Sequence, residues 1–515
     1  MPGDAPENSV PTRGRGEIGR RSGLKIRFPV GSAGSSPAVR TTLFLGLALL
    51  AGCGKPATGP LRVDVVGERF RSMDGERGAL ATPDAVLAGA SAQGLVTFDA
   101  AGQIAPGLAE SWIVTPDGLS TIFRLHARSW PDGAPLDARD VATRFDRLLG
   151  PQSRNPFKPL TVAIDDVVAM TPRVVEVRLK TPRPNLLQLL AQPEFAVLRN
   201  GAGMGAMTIE GRTPTVVRLR AAAIDDDEEP PVTADKVELR TLRASLAVAR
   251  FSAGAANLVL GGTARDLPLV QVAALPAGRL RIDPARGLFG LAVVGRSPLL
   301  TNASTRAALA QVIDRQALAA AFGSDARFTP RETLLPGALD SIAAPTAPAW
   351  SARTPDQRRA EAIRLIAAVR DRRLTIALPA GPGMTLLYRR LVADWQPLGI
   401  DLVRVDENDR TADLRLIDAV APNASANWYL TRVSCAAGLA CDTNRDAVLE
   451  ASRAAPTLAA RASLLAEADR VATARANFIV LGDPIRWSLV DPALTEFREN
   501  AFAVHPLDQL RPRRP

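Results

Sequence analysis

The sequence predicts a mixed α/β (α+β) protein built from two or three structural units. Three observations carry this. The chain has 515 residues, against roughly 100–200 for an ordinary domain. Its hydrophobic share of 46% and charged share of 23% are those of a globular chain able to bury a sizeable core. Short β-branched runs alternate with helical periods along the chain, and no repeat of 20–50 residues is found.

Residues 61–67 (LRVDVVG) are apolar and β-branched and read as a buried strand. A helix follows over 82–93, with Thr82 at its N-cap and Pro83 at its first position. Residues 94–98 form a strand, and 111–114 and 120–127 form two more, joined by the turn signal TPDG. Asp137 caps a helix reaching Leu149, whose early acids suit its positive end. Strands at 161–168 and 174–180, a helix near 185–192, strands at 216–220 and 236–241, a helix at 245–254 and a strand at 257–260 complete the first half. The second half is more helical. One helix starts at Asn302 or Ser304 and runs to about residue 321. Thr354-Pro355-Asp356-Gln357 supplies an N-cap, a proline at the first position and a glutamine at the third, opening a helix to about 370. A strand at 374–378, a helix at 384–397, strands at 402–405 and 413–418, an Ala-rich helix at 457–474 and strands at 478–481 and 485–490 close the chain.

The net charge is +10, of which the first 52 residues supply +4 through seven Arg/Lys against three acids. The rest is mildly basic, without the dense Lys/Arg stripe that nucleic-acid binding requires. Aromatics, at 4%, leave little for base stacking. Two histidines, His126 and His505, and three cysteines, Cys53, Cys435 and Cys441, exclude most enzyme classes. A zinc site would need most of these scattered residues to meet, and no motif sets a nucleophile beside either histidine. No catalytic residue, metal or cofactor is expected.

Residues 41–52 read TTLFLGLALLAG and run into Cys53. The apolar stretch 43–51 is too short for a bilayer, which needs about 20 residues. It has the length of a signal-peptide core, with Arg40 as its positive flank. The string LAGC at 50–53 resembles the lipobox of bacterial lipoproteins, which implies that Cys53 is lipidated and becomes the first mature residue. A chance apolar run before a free cysteine is the alternative. Residues 1–38, rich in Gly, Pro, Ser and Arg, fit poorly in front of such a signal. The expectation is a start at Val39, read from a GTG codon. No apolar run of 18 or more follows Cys53, so the mature chain is expected to be held by its lipid rather than to span the membrane.

Residues 94–149 read GLVTFDAAGQIAPGLAESWIVTPDGLSTIFRLHARSWPDGAPLDARDVATRFDRLL. GLVTFD, PGLAESW, TPDG with its strand, W-x-DG-x-P and a helix opening A-x-DV stand here in order, five pieces within 56 residues. They resemble the signature region of family 5 of the bacterial extracytoplasmic solute-binding proteins, the binders of peptide- and nickel-type ABC importers. Residues 171–190, 299–318 (with TRAALAQVIDRQAL) and 444–489 are similar to later parts of the family pattern, so the resemblance covers roughly 61–515. Physically the signature is scaffold: its turns need Gly and Pro, and Trp112 and Trp130 read as packing anchors rather than ligand contacts. The resemblance implies a two-lobed periplasmic-binding-protein fold with an extra subdomain on the first lobe. The first lobe is expected from 54–76, 195–272 and 482–515, the subdomain from 77–194, and the second lobe from 273–481. It further implies a monomer, anchored in the periplasm by its N-terminal lipid. That monomer captures a peptide-like or other small polar solute and delivers it to ABC permease and ATPase subunits. A sensor or chaperone-like docking protein, and a secreted hydrolase, are the alternative readings. Adjacent permease and ATPase genes would favour import.

Within SCAAGLAC, Cys435 and Cys441 are expected to form a disulfide, since the compartment is oxidising and dipeptide-binding relatives carry a similar segment. Two free thiols are the alternative. In peptide-binding relatives an acid just upstream pairs with the peptide's ammonium group, and setting NWYLTRVSC against that stretch puts Ala421 there. The loop 419–426 (AVAPNASA) has no acid, and Asp418 is the nearest carboxylate. A buried ammonium without a partner costs several kcal/mol. The ligand is therefore expected to be neutral or anionic, with Asp418, Asn423, Asn427 and Arg432 as candidate binding residues: amides for neutral polar groups, arginine for an anion. The alternative is a loop shift that lets Asp418 serve as the acid. Gly201-Ala202-Gly203-Met204-Gly205 is not a phosphate loop, because a strand-like segment and no Lys-Ser/Thr follow it. The run DDDEE at 225–229 lacks the spacing of a calcium loop and reads as a solvated surface loop.

Overall fold

A computed structural model of the chain describes residues 59–222, 236–295, 297–435, 438–439 and 443–510. The leader, Cys53, the acidic run 225–229 and Cys441 lie outside these residues.

The first sheet has seven strands, in the order Leu280–Ile282, Arg486–Val490, Leu258–Thr263, Leu61–Val66, Lys236–Leu242, Val216–Ala221 and Met207–Arg212. Leu61–Val66 runs parallel to both its neighbours. A parallel strand at the centre of a sheet is covered on both faces, and this one buries Leu61, Val63, Asp64 and Val65. Asp64 within it is fully buried and is held by Arg250 at 2.9 Å. The paired glycines of LVLGGT have separate reasons. Gly261 adopts a φ of +82°, and a Cβ on Gly262 would sit 2.0 Å from the Trp487 ring. A bulge between Val259 and Gly262 lets Trp487 lie flat there and donate from Nε1 to the Thr263 carbonyl at 2.9 Å.

Two crossings join this sheet to a second. The chain leaves the first sheet at Ile282 and enters the second at Gly287, then returns from Gly482 to Arg486. Each crossing carries an Asp-Pro pair, Asp283-Pro284 and Asp483-Pro484. Proline has no N–H for a ladder, so regular pairing is interrupted between the sheets. The second sheet has five strands, in the order Asp401–Val405, Arg373–Ala377, Leu414–Val420, Gly287–Val293 and Phe478–Gly482. Gly287–Val293 is buried at every position.

A third sheet, four antiparallel strands in the order Ala109–Val114, Ser120–Leu125, Val174–Leu179 and Ile164–Thr171, packs on the helix Ala138–Leu149. That helix buries Val141, Phe145 and Leu148, an i, i+4, i+7 stripe, and Asp137 caps it by accepting from the Arg139 N–H.

The local signals hold closely at some ends and less well at others. The capping box of Thr354 and Gln357 is formed in both directions, but its helix ends at Leu365 rather than near 370. The helix expected over 302–321 is two, Ala303–Gln311 and Arg315–Phe322, because Asp314 accepts from the Ala317 N–H and caps a second start. The cap position of Thr82–Ser91 is Ala81, without a side-chain bond; Thr82 is already helical. Gly287–Val293 and the helix Ala426–Arg432 are elements that the periodicity does not predict.

Candidate functional site

The strand Leu414–Val420 pairs along its whole length with Gly287–Val293. On its other side, the ladder with Arg373–Ala377 stops at Arg415. Residues 416–420 therefore present an edge outside that ladder, and Asp418 lies on it. The Asp418 carboxylate accepts from Arg486 Nη1 at 2.7 Å, and its carbonyl accepts from Arg486 Nη2 at 3.3 Å. Arg486 opens a strand of the seven-stranded sheet, so this ion pair spans the two large sheets.

Beyond the strand, Ala421 is buried at 5% exposure and its N–H donates to the Arg286 carbonyl. The loop that follows is held by the short helix Leu186–Leu190 and its flanks. Asn185 Nδ2 donates to the Ala424 carbonyl at 3.0 Å, Gln192 Nε2 donates to the Pro422 carbonyl at 2.7 Å, and Gln188 Oε1 accepts from the Ala424 N–H at 2.8 Å. Ser425 caps Ala426–Arg432 and donates to Asp340, which also accepts from the Ala426 N–H and pairs with Arg461. These contacts enclose a cavity of about 30 Å³ between loop and helix, lined by Arg183, Asp340, Asn423, Asn427 and Arg461. Asn423 and Asn427 are buried, and the Oδ1 of each has no partner. A cavity of this size takes one or two waters, not a solute. Burial, with the like charge of Arg461 next, pushes the Arg183 guanidinium down to about 10.

The structure thus brings Asn423 and Asn427 into one cavity. Asp418 stands apart on the strand edge, bound to Arg486, and Arg432 is exposed at the far end of Ala426–Arg432. Cys435 is disulfide-bonded. Arg183, Gln188, Gln192, Asp340, Arg461 and Arg486 belong to this region without any local signal in the sequence, because they come from segments far apart in the chain.

The crossings carry charge of their own. Asp483 accepts from Arg286 at 3.0 Å and from Arg331 at 3.1 Å. Asp283 accepts from the Asn500 N–H at 3.0 Å, and its other oxygen lies 3.2 Å from His505 Nε2. Both crossings line a cavity of about 380 Å³, together with Arg327, Phe328 and Glu499. That volume lies within the range of small-molecule sites, roughly 300–1,000 Å³.

Residues 103–403 match the model of bacterial extracellular solute-binding proteins, family 5 Middle. The chain is 31% identical over 119 residues to the probable deoxycholate-binding periplasmic protein YgiS of Escherichia coli, covering 20% of this chain and 22% of that one. It is 37% identical over 76 residues to the periplasmic oligopeptide-binding protein OppA of Haemophilus influenzae, covering 15% of this chain and 14% of that one. These matches span less than a quarter of either relative. Solved structures match over far more. Haemophilus influenzae OppA in complex with RPPGFSPFR superposes with a TM-score of 0.75 at 18% identity, over 88% of this chain and 98% of that one. The Escherichia coli murein tripeptide binding protein MppA does so with a TM-score of 0.76 at 19% identity, over 88% and 99%. At such identities the superpositions establish the fold: two lobes, with an extra subdomain on the first. Since the family model runs over more than half of the sequence and the fold agrees, the chain belongs to family 5 of the bacterial extracellular solute-binding proteins.

Proposed function

We propose that the protein is the substrate-binding component of an ABC importer, a periplasmic lipoprotein anchored through Cys53 and without enzymatic activity. It holds a small polar solute between the two large sheets and presents its closed form to permease and ATPase subunits. The seven-stranded sheet builds the first lobe, the five-stranded sheet the second, and the four-stranded sheet the extra subdomain. On this reading the first lobe extends to the 283–286 crossing rather than to 272, which the pairing of Leu280–Ile282 with Arg486–Val490 supports.

The observation that supports this reading most is the strand edge 416–420, which meets Arg486 of the other sheet. The two acids nearest the loop already have partners: Asp418 is held by Arg486, and Asp340 by Arg461. An entering ammonium would have to break one of these pairs. A neutral or anionic solute suits the site better than a zwitterionic peptide.

Calorimetry on the mature chain is expected to show little or no heat with ordinary di- and tripeptides. A cognate solute at 100 times its dissociation constant should stabilise the fold by about 2.7 kcal/mol, with no turnover. Micromolar binding of free-amine peptides, lost in Asp418→Asn, would overturn the assignment of ligand charge. Hydrolase activity that copurifies through several steps would overturn the assignment as a binder. Separately, Cys53→Ser is expected to release the protein from the membrane fraction or to block its maturation. Unchanged membrane association with unchanged mass would refute the anchor.

A further inference from the structure

The Asp418–Arg486 pair has features that a simple structural bridge does not need. It joins the two large sheets beside a crossing. Both side chains keep some access to solvent, 18% for Asp418 and 16% for Arg486. The guanidinium offers a two-pronged face, yet it holds the carboxylate through Oδ1 from Nη1, while its other contacts are to the Asp418 and Ile485 carbonyls. The second carboxylate oxygen takes no part in this bond.

We propose that Arg486 is the anion-binding residue of the solute site and that Asp418 is its resident counter-ion, which a ligand carboxylate displaces. The inference rests on the reading of the protein as a solute binder. A guanidinium only 16% exposed is costly to leave without a counter-charge, and Asp418 neutralises it while the site is empty. A ligand carboxylate can engage both prongs, which Asp418, tethered to its strand, does not. Displaced, Asp418 rotates towards solvent. The bond from Arg486 Nη2 to the Asp418 carbonyl has a second consequence. It occupies an acceptor on the edge 416–420, where an extended peptide would otherwise add as a further strand. The ligand class that follows is a compact carboxylate without an ammonium group.

Asp418 is then a competitor of the ligand, and its neutralisation should strengthen binding. The test is calorimetry on the wild type, Arg486→Gln, Arg486→Lys and Asp418→Asn, each first shown to be folded by its thermal transition. The probes are N-acetyl-dialanine, which has a carboxylate and no ammonium, and its methyl ester. The wild type should bind the acid about tenfold or more tighter than the ester, as one charge-assisted contact provides. Arg486→Gln should reduce the acid to the level of the ester, and Arg486→Lys should fall between. Asp418→Asn should tighten the acid about tenfold and leave the ester unchanged. Acid binding that is unaffected by Arg486→Gln, or weakened by Asp418→Asn, overturns the proposal and leaves the solute-binding reading standing. Failure of all four proteins to bind the acid also overturns it. Free dialanine bound more tightly than its acetylated form would instead overturn the ligand charge on which the proposal rests.

Discussion

Asp483→Ala is expected to lower stability by about 3–5 kcal/mol, because it leaves a buried guanidinium without its counter-charge. Asp483 and Arg331 are 6% and 9% exposed. Arg331 also donates to the carbonyls of Gly287, Thr333 and Leu334, so it cannot swing out to water without releasing three backbone groups. Burial already holds its guanidinium below the usual arginine range, and Asp483 opposes that effect. The consequence should also be local. Asp483 sits in the returning crossing and ties Arg286 of the outgoing one, so amide exchange should rise first in 283–286 and 483–485. Asp483→Asn, which keeps an acceptor, should lose less. A loss below about 1 kcal/mol in Asp483→Ala, read from the denaturant midpoint at constant slope, would show that the network is not a structural tie.

Trp130→Ala should cost a comparable amount, about 3–5 kcal/mol, with no effect on solute affinity in the protein that remains folded. Trp130 is 2% exposed, packs with Leu136, Val141 and Phe145 in the core of the subdomain, and donates from Nε1 to Asp140 at 3.0 Å. It therefore acts as the packing anchor that its place in the signature suggests. A variant of near wild-type stability with weakened solute binding would make it a ligand contact instead.

The sequence by itself determined what depends on neighbours along the chain. Asp137 and Thr354 cap the helices they were expected to cap, since a cap needs only the backbone N–H groups two or three residues ahead. The ordered turns and the two tryptophans of 94–149 were enough to identify the family and, with it, the two-lobed fold. Periodicity failed where burial is complete. Gly287–Val293 (GLFGLAV) has neither alternation nor a helical stripe, and its glycines serve contacts across the sheet: a Cβ at Gly287 would lie 2.0 Å from the Ala419 carbonyl. Charge pairing was illegible for a different reason. Asp418 reads as a free carboxylate beside a ligand loop, yet its partner lies 68 residues away, and Asp340 meets Arg461 across 121 residues. An ion pair depends on the distance between two charges and on the medium around them, neither of which is a property of the residue's own segment. Only the tertiary structure could decide which of the candidate polar groups already had partners and which, like the amide oxygens of Asn423 and Asn427, were buried without one.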